Sequence, residues 1–374
     1  VLGWQVYTLT QNPLSLGLIG LSEALPFLSL TLFGGYLADR FDRKTLCLLS
    51  LLPILAGGLL LVVSNWNTST QQVWIFYGAQ ALGGVGRAFF RPAYQALAAD
   101  LVPKESYVNA STMRSSTFHI SMVIGPVLGG FLIPLGYRMA YAFVCILIFC
   151  TLISYLKIQP LVRFKKEVSD ETRFFDGVRF VFKEKIVLGA LTLDLFAVLF
   201  GGATSLLPIF ARDILQVGEK GFGLLRSAPA MGSIVMSLWL TFSPPARHMG
   251  RRLLICVFIF GLGWIAFALS RSFTISLMIH VVCGAADNVS VIMRSALVQT
   301  QTPRHLMGRV GAVNSFFIGS SNEIGAFESG VAARLLGVIP SVLFGGFMTL
   351  ATVGAVAWKI PALRKLDRLE DAQS

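Results

Sequence analysis

The sequence predicts an all-α, polytopic membrane fold, and three observations carry that prediction. Of the 374 residues, 55% are hydrophobic and only 13% charged, against about 25% charged in an ordinary soluble domain; mean hydropathy is +0.70. The apolar residues gather into segments of helix-spanning length, too long and too uniform for the alternating strands of a membrane barrel. The Lys and Arg between the segments fall mostly on alternate loops, which is how cytoplasmic loops are marked.

Taken in order, residues 1–8 read as the tail of a helix, which Asn12-Pro13 breaks. Apolar segments follow near 14–38, 45–64, 73–97, 108–134, 139–157, 186–211, 221–242, 252–270, 273–299, 307–333 and 339–360, eleven full spans after the stub. Two accounts fit that count: a twelve-span protein lacking most of helix 1, or an eleven-span protein with its termini on opposite sides. Residues 39–44, 98–107, 157–185, 243–252, 301–309 and 359–374 hold 21 of the 31 Lys and Arg. The opposite loops and adjoining ends hold Arg138, Arg212, Lys220, Arg271 and Arg334. The first set, with the C-terminus, is therefore predicted cytoplasmic. The same asymmetry accounts for the net charge of +12 without a nucleic-acid partner. The expected domains are an N-terminal bundle (1–157), a linking loop (158–185), a C-terminal bundle (186–361) and a tail (362–374). Within the linking loop, 174–183 is predicted to form an amphipathic interfacial helix that braces the fold.

An internal repeat supports two bundles. Residues 84–130 laid on 284–330 match at Gly84, Ala96, Leu97, Pro103, Ser115, Ser121, Gly125 and Gly130. Parallel repeats of this kind build carriers whose substrate site lies between the halves.

Charges inside spans are costly and mark candidate sites. Here they are Glu23, Arg87, Arg91, Arg114, Asp194, Arg226, Asp287, Arg294, Glu323 and Glu328. The repeat lays Arg87 on Asp287, so a pair between them, made in one state and broken in another, is one expectation; local pairing within each half is the other. Asp287 and Arg294 are seven residues apart, on one helical face about 10 Å along the axis. Arg87 and Arg91 share a face, where like charges repel; they need either an anionic substrate or neutralisation by Glu23 or by lipid phosphate. Glu323 shares a face with Ser315 and Gly319 and either carries a proton or hydrogen-bonds a neighbouring helix. Asp194 is placed one to two turns inside its span, wet and structural or part of coupling.

The stretch Gly34-Gly35-Tyr36-Leu37-Ala38-Asp39-Arg40-Phe41-Asp42-Arg43-Lys44 is a tight charged turn between two spans. It resembles the loop signature between the second and third helices of the major facilitator superfamily, with Asp42 where that family usually has Gly. Gly125-Pro126-Val127-Leu128-Gly129-Gly130 resembles the antiporter signature of exporting facilitators; physically, Pro126 bends the helix and Gly125, Gly129 and Gly130 permit close approach. The loop from Pro244 to Arg252 resembles a degenerate second copy of the charged turn. Asp287 to Arg294, Gln299 to Pro303 and Gly308 to Glu323 are similar to the bacterial branch that includes the enterobactin exporter.

That resemblance implies two six-helix bundles and alternating access. It implies efflux of a small amphipathic compound, such as a drug or siderophore, in exchange for protons across the bacterial cytoplasmic membrane, by a monomer in the bilayer. Asp39, Arg40, Arg43 and Lys44, with Gly35, would form a cytoplasmic gate, Arg43 reaching Asp100. A lipid- or lysophospholipid-translocating facilitator is a second reading, and a non-transporting scaffold or relic a third. The sequence otherwise argues against enzymatic chemistry. His119, His248, His280 and His305 are scattered, the five cysteines stand singly without metal-ligand spacing, and no phosphate-binding loop ending in Lys-Ser or Lys-Thr occurs. No cofactor and no metal are expected.

Overall fold

The computed structural model describes residues 1–66, 73–103, 106–158, 174–201, 203–242, 248–303 and 306–366. Among these residues the chain is helical, without strands. The short α1 (Leu2–Thr10) ends where Gln11 adopts the left-handed conformation, φ 48°. Asn12 then caps α2 (Pro13–Arg40), its side chain accepting from the Leu14 amide at 3.1 Å, with Pro13 at the first helical position. There follow α3 (Arg43–Ser64), α4 (Val73–Asp100), α5 (Tyr107–Leu132) and α6 (Tyr137–Lys157). After them come the amphipathic α7 (Phe174–Lys183) and α8 (Lys185–Gly201).

The crossing that starts at α8 is not the continuous helix expected over 186–211. Past Gly201 it runs through a 3-10 turn (Ala203–Leu206), a single turn α9 (Leu207–Ile209) and a π turn (Phe210–Ile214). Pro208 supplies no amide there, and Gly201 lies so close to Phe260 and Thr349 that a Cβ would meet both at 2.9 Å. Proline, glycine and π turns are the usual causes of such a break. The chain continues as α10 (Gly218–Phe242), α11 (Met249–Leu269), α12 (Phe273–Gln301), α13 (Met307–Leu336), α14 (Val338–Lys359) and the terminal turn α15 (Pro361–Lys365).

Eight helical stretches among the described residues are long and apolar enough to cross a membrane, so the eleven spans read from the sequence are not all reached. The helices α4, α10 and α13 match the others in length but carry the ionisable groups Arg87, Arg91, Arg226, Glu323 and Glu328 along them.

The chain divides into two compact units, Val1–Ser121 with Leu128–Val168, and Met122–Val127 with Ser169–Ser374. In the first, α4 packs along α2 and α3, and α3 along α6. Its core includes Leu46, Cys47, Leu51, Ala93, Leu97 and Tyr155. In the second, α12 packs along α10 and α11, and α11 along α14, around Leu193, Leu253, Val257, Met293, Leu297 and Val353. These are the same partners, 200 residues on. The repeated glycines show why: a Cβ on Gly84 would strike the backbone of Glu23 in α2, and one on Gly284 the backbone of Pro229 in α10. At both places the helix axes come too close for any larger residue. The amphipathic α7 buries Val181 and packs on α13 and α8, and Asp176 accepts from Arg309 at 3.3 Å.

Candidate functional site

In the second unit, α8 and α12 each bury a charge. Asp194, 8% exposed, forms an ion pair with Arg294, 3% exposed. Asp194 is the tenth residue of α8, deeper than the one to two turns the sequence suggested, and buried. Taking two such charges out of water costs several kcal/mol each, so neither is stable there without the other. The Nε of Arg294 has no hydrogen-bond partner among the described residues.

Asp287 lies two turns before Arg294 on the same helix. It lines a small cavity together with Asp194, Ser290, Cys256, Val257 and Phe260. The space open to the centre of a water-sized sphere is about 10 Å³, room for roughly one water. Asp287 makes no ion pair or hydrogen bond among the described residues. The arrangement is thus two carboxylates and one guanidinium, with Arg294 committed to Asp194 and Asp287 left without a fixed counter-charge. Next to it, Asn288 anchors α12 to α10. Its amide donates to the Ser233 carbonyl at 3.1 Å and the Ser237 hydroxyl at 2.8 Å. Glu323 and Glu328 are half-buried on α13 and do not line the cavity. Arg226 is exposed and donates to the Thr204 carbonyl, 3.5 Å away, in the broken part of the α8 crossing.

Among the described residues the first unit buries one carboxylate, Glu23, 7% exposed on α2. It pairs with Arg87 of α4 and accepts from Gln80 of the same helix at 2.6 Å. Arg87 therefore finds its partner within its own unit. Its side chain is still 52% exposed, and Arg91, one turn further, is exposed without an ion pair or hydrogen bond among the described residues. Arg114 on α5 is exposed.

The charged turn between α2 and α3 is tied to its own unit. Asp42 caps α3, accepting from the Thr45 amide at 2.9 Å and the Thr45 hydroxyl at 2.7 Å. That gives the departure from the usual Gly a local role. Arg43 donates to the Ala96 carbonyl of α4 at 3.3 Å, and Lys44 to the carbonyls of Leu156 and Ile158, both at 2.8 Å. The Arg40 guanidinium lies 4.3 Å from the centre of the Tyr36 ring, within cation–π range. Gly35 has open space about it. The side chains of Asp39 and Asp100, and the loop segment 243–247, lie outside the described residues. On α5, Pro126 stands inside a helix that continues to Leu132; Gly130 is buried, and Gly129 faces the Val1 side chain.

Two residues that hold these clusters went unread in the sequence, Gln80 and Asn288. Gln80 stands seven residues before Arg87, on one face of α4, and that spacing was the available signal. Cys256 and Ser290, which share the cavity with the two aspartates, had none.

The sequence profile of the Major Facilitator Superfamily matches residues 2–326. The chain belongs to that superfamily. It is a multi-pass membrane transporter. Among its relatives is the multidrug efflux pump Tap of Mycolicibacterium fortuitum, 24% identical over 97% of this chain and 91% of that protein. The enterobactin exporter EntS of Salmonella choleraesuis is 26% identical over 92% and 83%. A Na(+), Li(+), K(+)/H(+) antiporter of Planococcus maritimus is 26% identical over 76% and 73%. Among solved structures, a D-xylose-proton symporter superposes with a TM-score of 0.74 at 14% identity, over 97% of this chain and 92% of that one, a likeness of fold.

Proposed function

We propose that this protein is an efflux carrier that exchanges a small amphipathic organic compound for protons by alternating access, as a monomer in the bacterial cytoplasmic membrane with its C-terminus inside. The observation that carries the reading is Asp287, a carboxylate without a fixed counter-charge, lining a cavity beside the buried Asp194–Arg294 pair. A carboxyl group in that position can take a proton from a water and return it without first breaking an ion pair. The neighbouring pair fixes α8 against α12, so a change of charge at Asp287 acts on the contact that holds these two helices together. Glu323, on α13, is a second proton-carrying candidate. Relatives named as an efflux pump, an exporter and a proton antiporter support the direction and the ion.

In the same reading the turn at Gly35, Asp39, Arg40, Arg43, Lys44 and Asp100 latches the cytoplasmic ends of α2, α3 and α4. Pro126 with Gly125, Gly129 and Gly130 lets α5 bend in the exchange cycle.

The test is flux in proteoliposomes. The whole chain is reconstituted, a pH gradient is imposed, and the flux of two xanthene dyes, carboxyfluorescein and the tetramethylrhodamine methyl ester cation, is followed by fluorescence. The parent protein should drive at least one dye against its gradient. Asp287→Asn should keep downhill flux and lose its response to the imposed gradient. Parent flux that ignores the gradient would rule out proton exchange, and full coupling in Asp287→Asn would remove that residue from the mechanism.

A further inference from the structure

The charge clusters described in the two units leave over groups of opposite sign, and this bears on what is transported. In the second, the uncommitted group in the cluster is the carboxylate of Asp287. In the first, Glu23 is the only acid within α2 to α6 lying more than one turn from a helix end. It is buried and bonded to Gln80 and Arg87. What this unit presents is cationic. Arg87, fifteenth of the 28 residues of α4, keeps half its side chain exposed while bonded to Glu23. Arg91 projects from the same face one turn on, exposed and without an ion pair or hydrogen bond among the described residues.

The helix that carries them lies against α2 and α3, both among the apolar, membrane-length helices. An arginine at the middle of a membrane-crossing helix costs about 2.5–3.5 kcal/mol, and ionisable side chains there almost always face the bundle interior or a water-filled cavity. Two guanidinium groups one turn apart, with Cβ atoms about 5–6 Å from each other, also repel. An oxyanion placed between them relieves both costs. The guanidinium fork matches the oxygens of a carboxylate, sulfonate or phosphate, whereas a cation would meet net repulsion.

We propose that Arg87 and Arg91 form an anion-binding site that takes the oxyanion group of the transported amphiphile, so that the carrier prefers anionic over cationic compounds. This rests on the efflux reading for the word transported; the binding itself is measured without any gradient. Arg91 is the deciding residue, because removing Arg87 would leave Glu23 buried without its counter-charge.

The experiment is equilibrium binding to the whole protein in phosphatidylcholine nanodiscs, read by fluorescence anisotropy. Carboxyfluorescein and the tetramethylrhodamine methyl ester cation share a ring skeleton and differ in charge. The parent should bind the anion more tightly. In Arg91→Gln the preference for the anion over the cation should fall about tenfold or more, the loss of a charge-assisted hydrogen bond. Arg91→Lys, which keeps the charge without the fork, should restore part of it. A parent that prefers the cation, or an Arg91→Gln variant with an unchanged preference, overturns the proposal. So does anion binding that phosphatidylglycerol in the nanodisc abolishes, since the site would then belong to a lipid headgroup. Failure of gradient-driven flux with an intact anion preference would count against proton exchange and leave this site standing.

Discussion

Neutralising Asp194 should be costly alone and nearly harmless in company. The carboxylate and the Arg294 guanidinium are 9% and 3% exposed as side chains and bonded to each other. In Asp194→Leu the guanidinium stays buried without its partner, which costs about 3–5 kcal/mol. Cooperative units of 150–250 residues lose roughly 2–4 °C of Tm per kcal/mol, so the fall should be on the order of 10 °C. In the double variant Asp194→Leu/Arg294→Met both charges are gone and apolar groups of similar size fill the space. Replacements of that kind in other proteins run from neutral to 1–4 kcal/mol stabilising, so most of the lost Tm should return. The assay is thermal unfolding in detergent for the parent, both single variants and the double. A single variant that costs under about 1 kcal/mol, or a double variant worse than either single, would refute the claim that the pair is buried and mutually dependent. The same double variant should transport poorly although it folds well, which separates the pair's part in the exchange cycle from its part in stability.

Two further outcomes follow from local geometry. Asp42→Ala removes the cap from α3 and should cost about 0.5–2 kcal/mol, while Asp42→Gly, the residue usual in the family's motif, should cost only a few tenths; chemical unfolding of the two side by side checks this. Gly84→Ala drives a methyl into the backbone of Glu23 and should lower the yield of monodisperse protein on size exclusion. Gly78→Ala, in the same helix with open space around it, should instead stabilise by up to about 1 kcal/mol.

Eight of the expected spans were legible because lipid-facing helices must be apolar along their length; the charged α4, α10 and α13 fall outside that set. The segment 273–299 is α12 (Phe273–Gln301), and 139–157 is α6 (Tyr137–Lys157). The break after Gly201 was not read, although Gly201, Gly202 and Pro208 stood in the expected span. Hydropathy reports what a side chain prefers and says nothing about which carbonyl has lost its amide. Of the site, the charged members stood out by their position in apolar runs. Of their pairings, Glu23 with Arg87 was among the alternatives the sequence offered; Asp194 with Arg294 was not, because those partners lie far apart in the chain and no repeat or spacing joins them. Asn288 escaped notice because a neutral amide in a helix carries no signal until its partner is known, and Gln80 offered only its seven-residue spacing from Arg87.

The jointed crossing that begins at Lys185 has a consequence for how this protein deforms. Up to Gly201 it is a single rod, riveted to α12 through Asp194. Beyond Gly201 it is a knuckle, fastened by the Arg226 bond to Thr204 and a Ser205 bond to the Ala326 carbonyl at 3.4 Å. The knuckle is not slack, since Leu206, Leu207 and Phe210 are fully buried. That burial ties residues 203–214 into one block, distinct from the rod before it. Spin labels at Gln216 and Ile186 would then report two different amplitudes from the two ends of one membrane crossing.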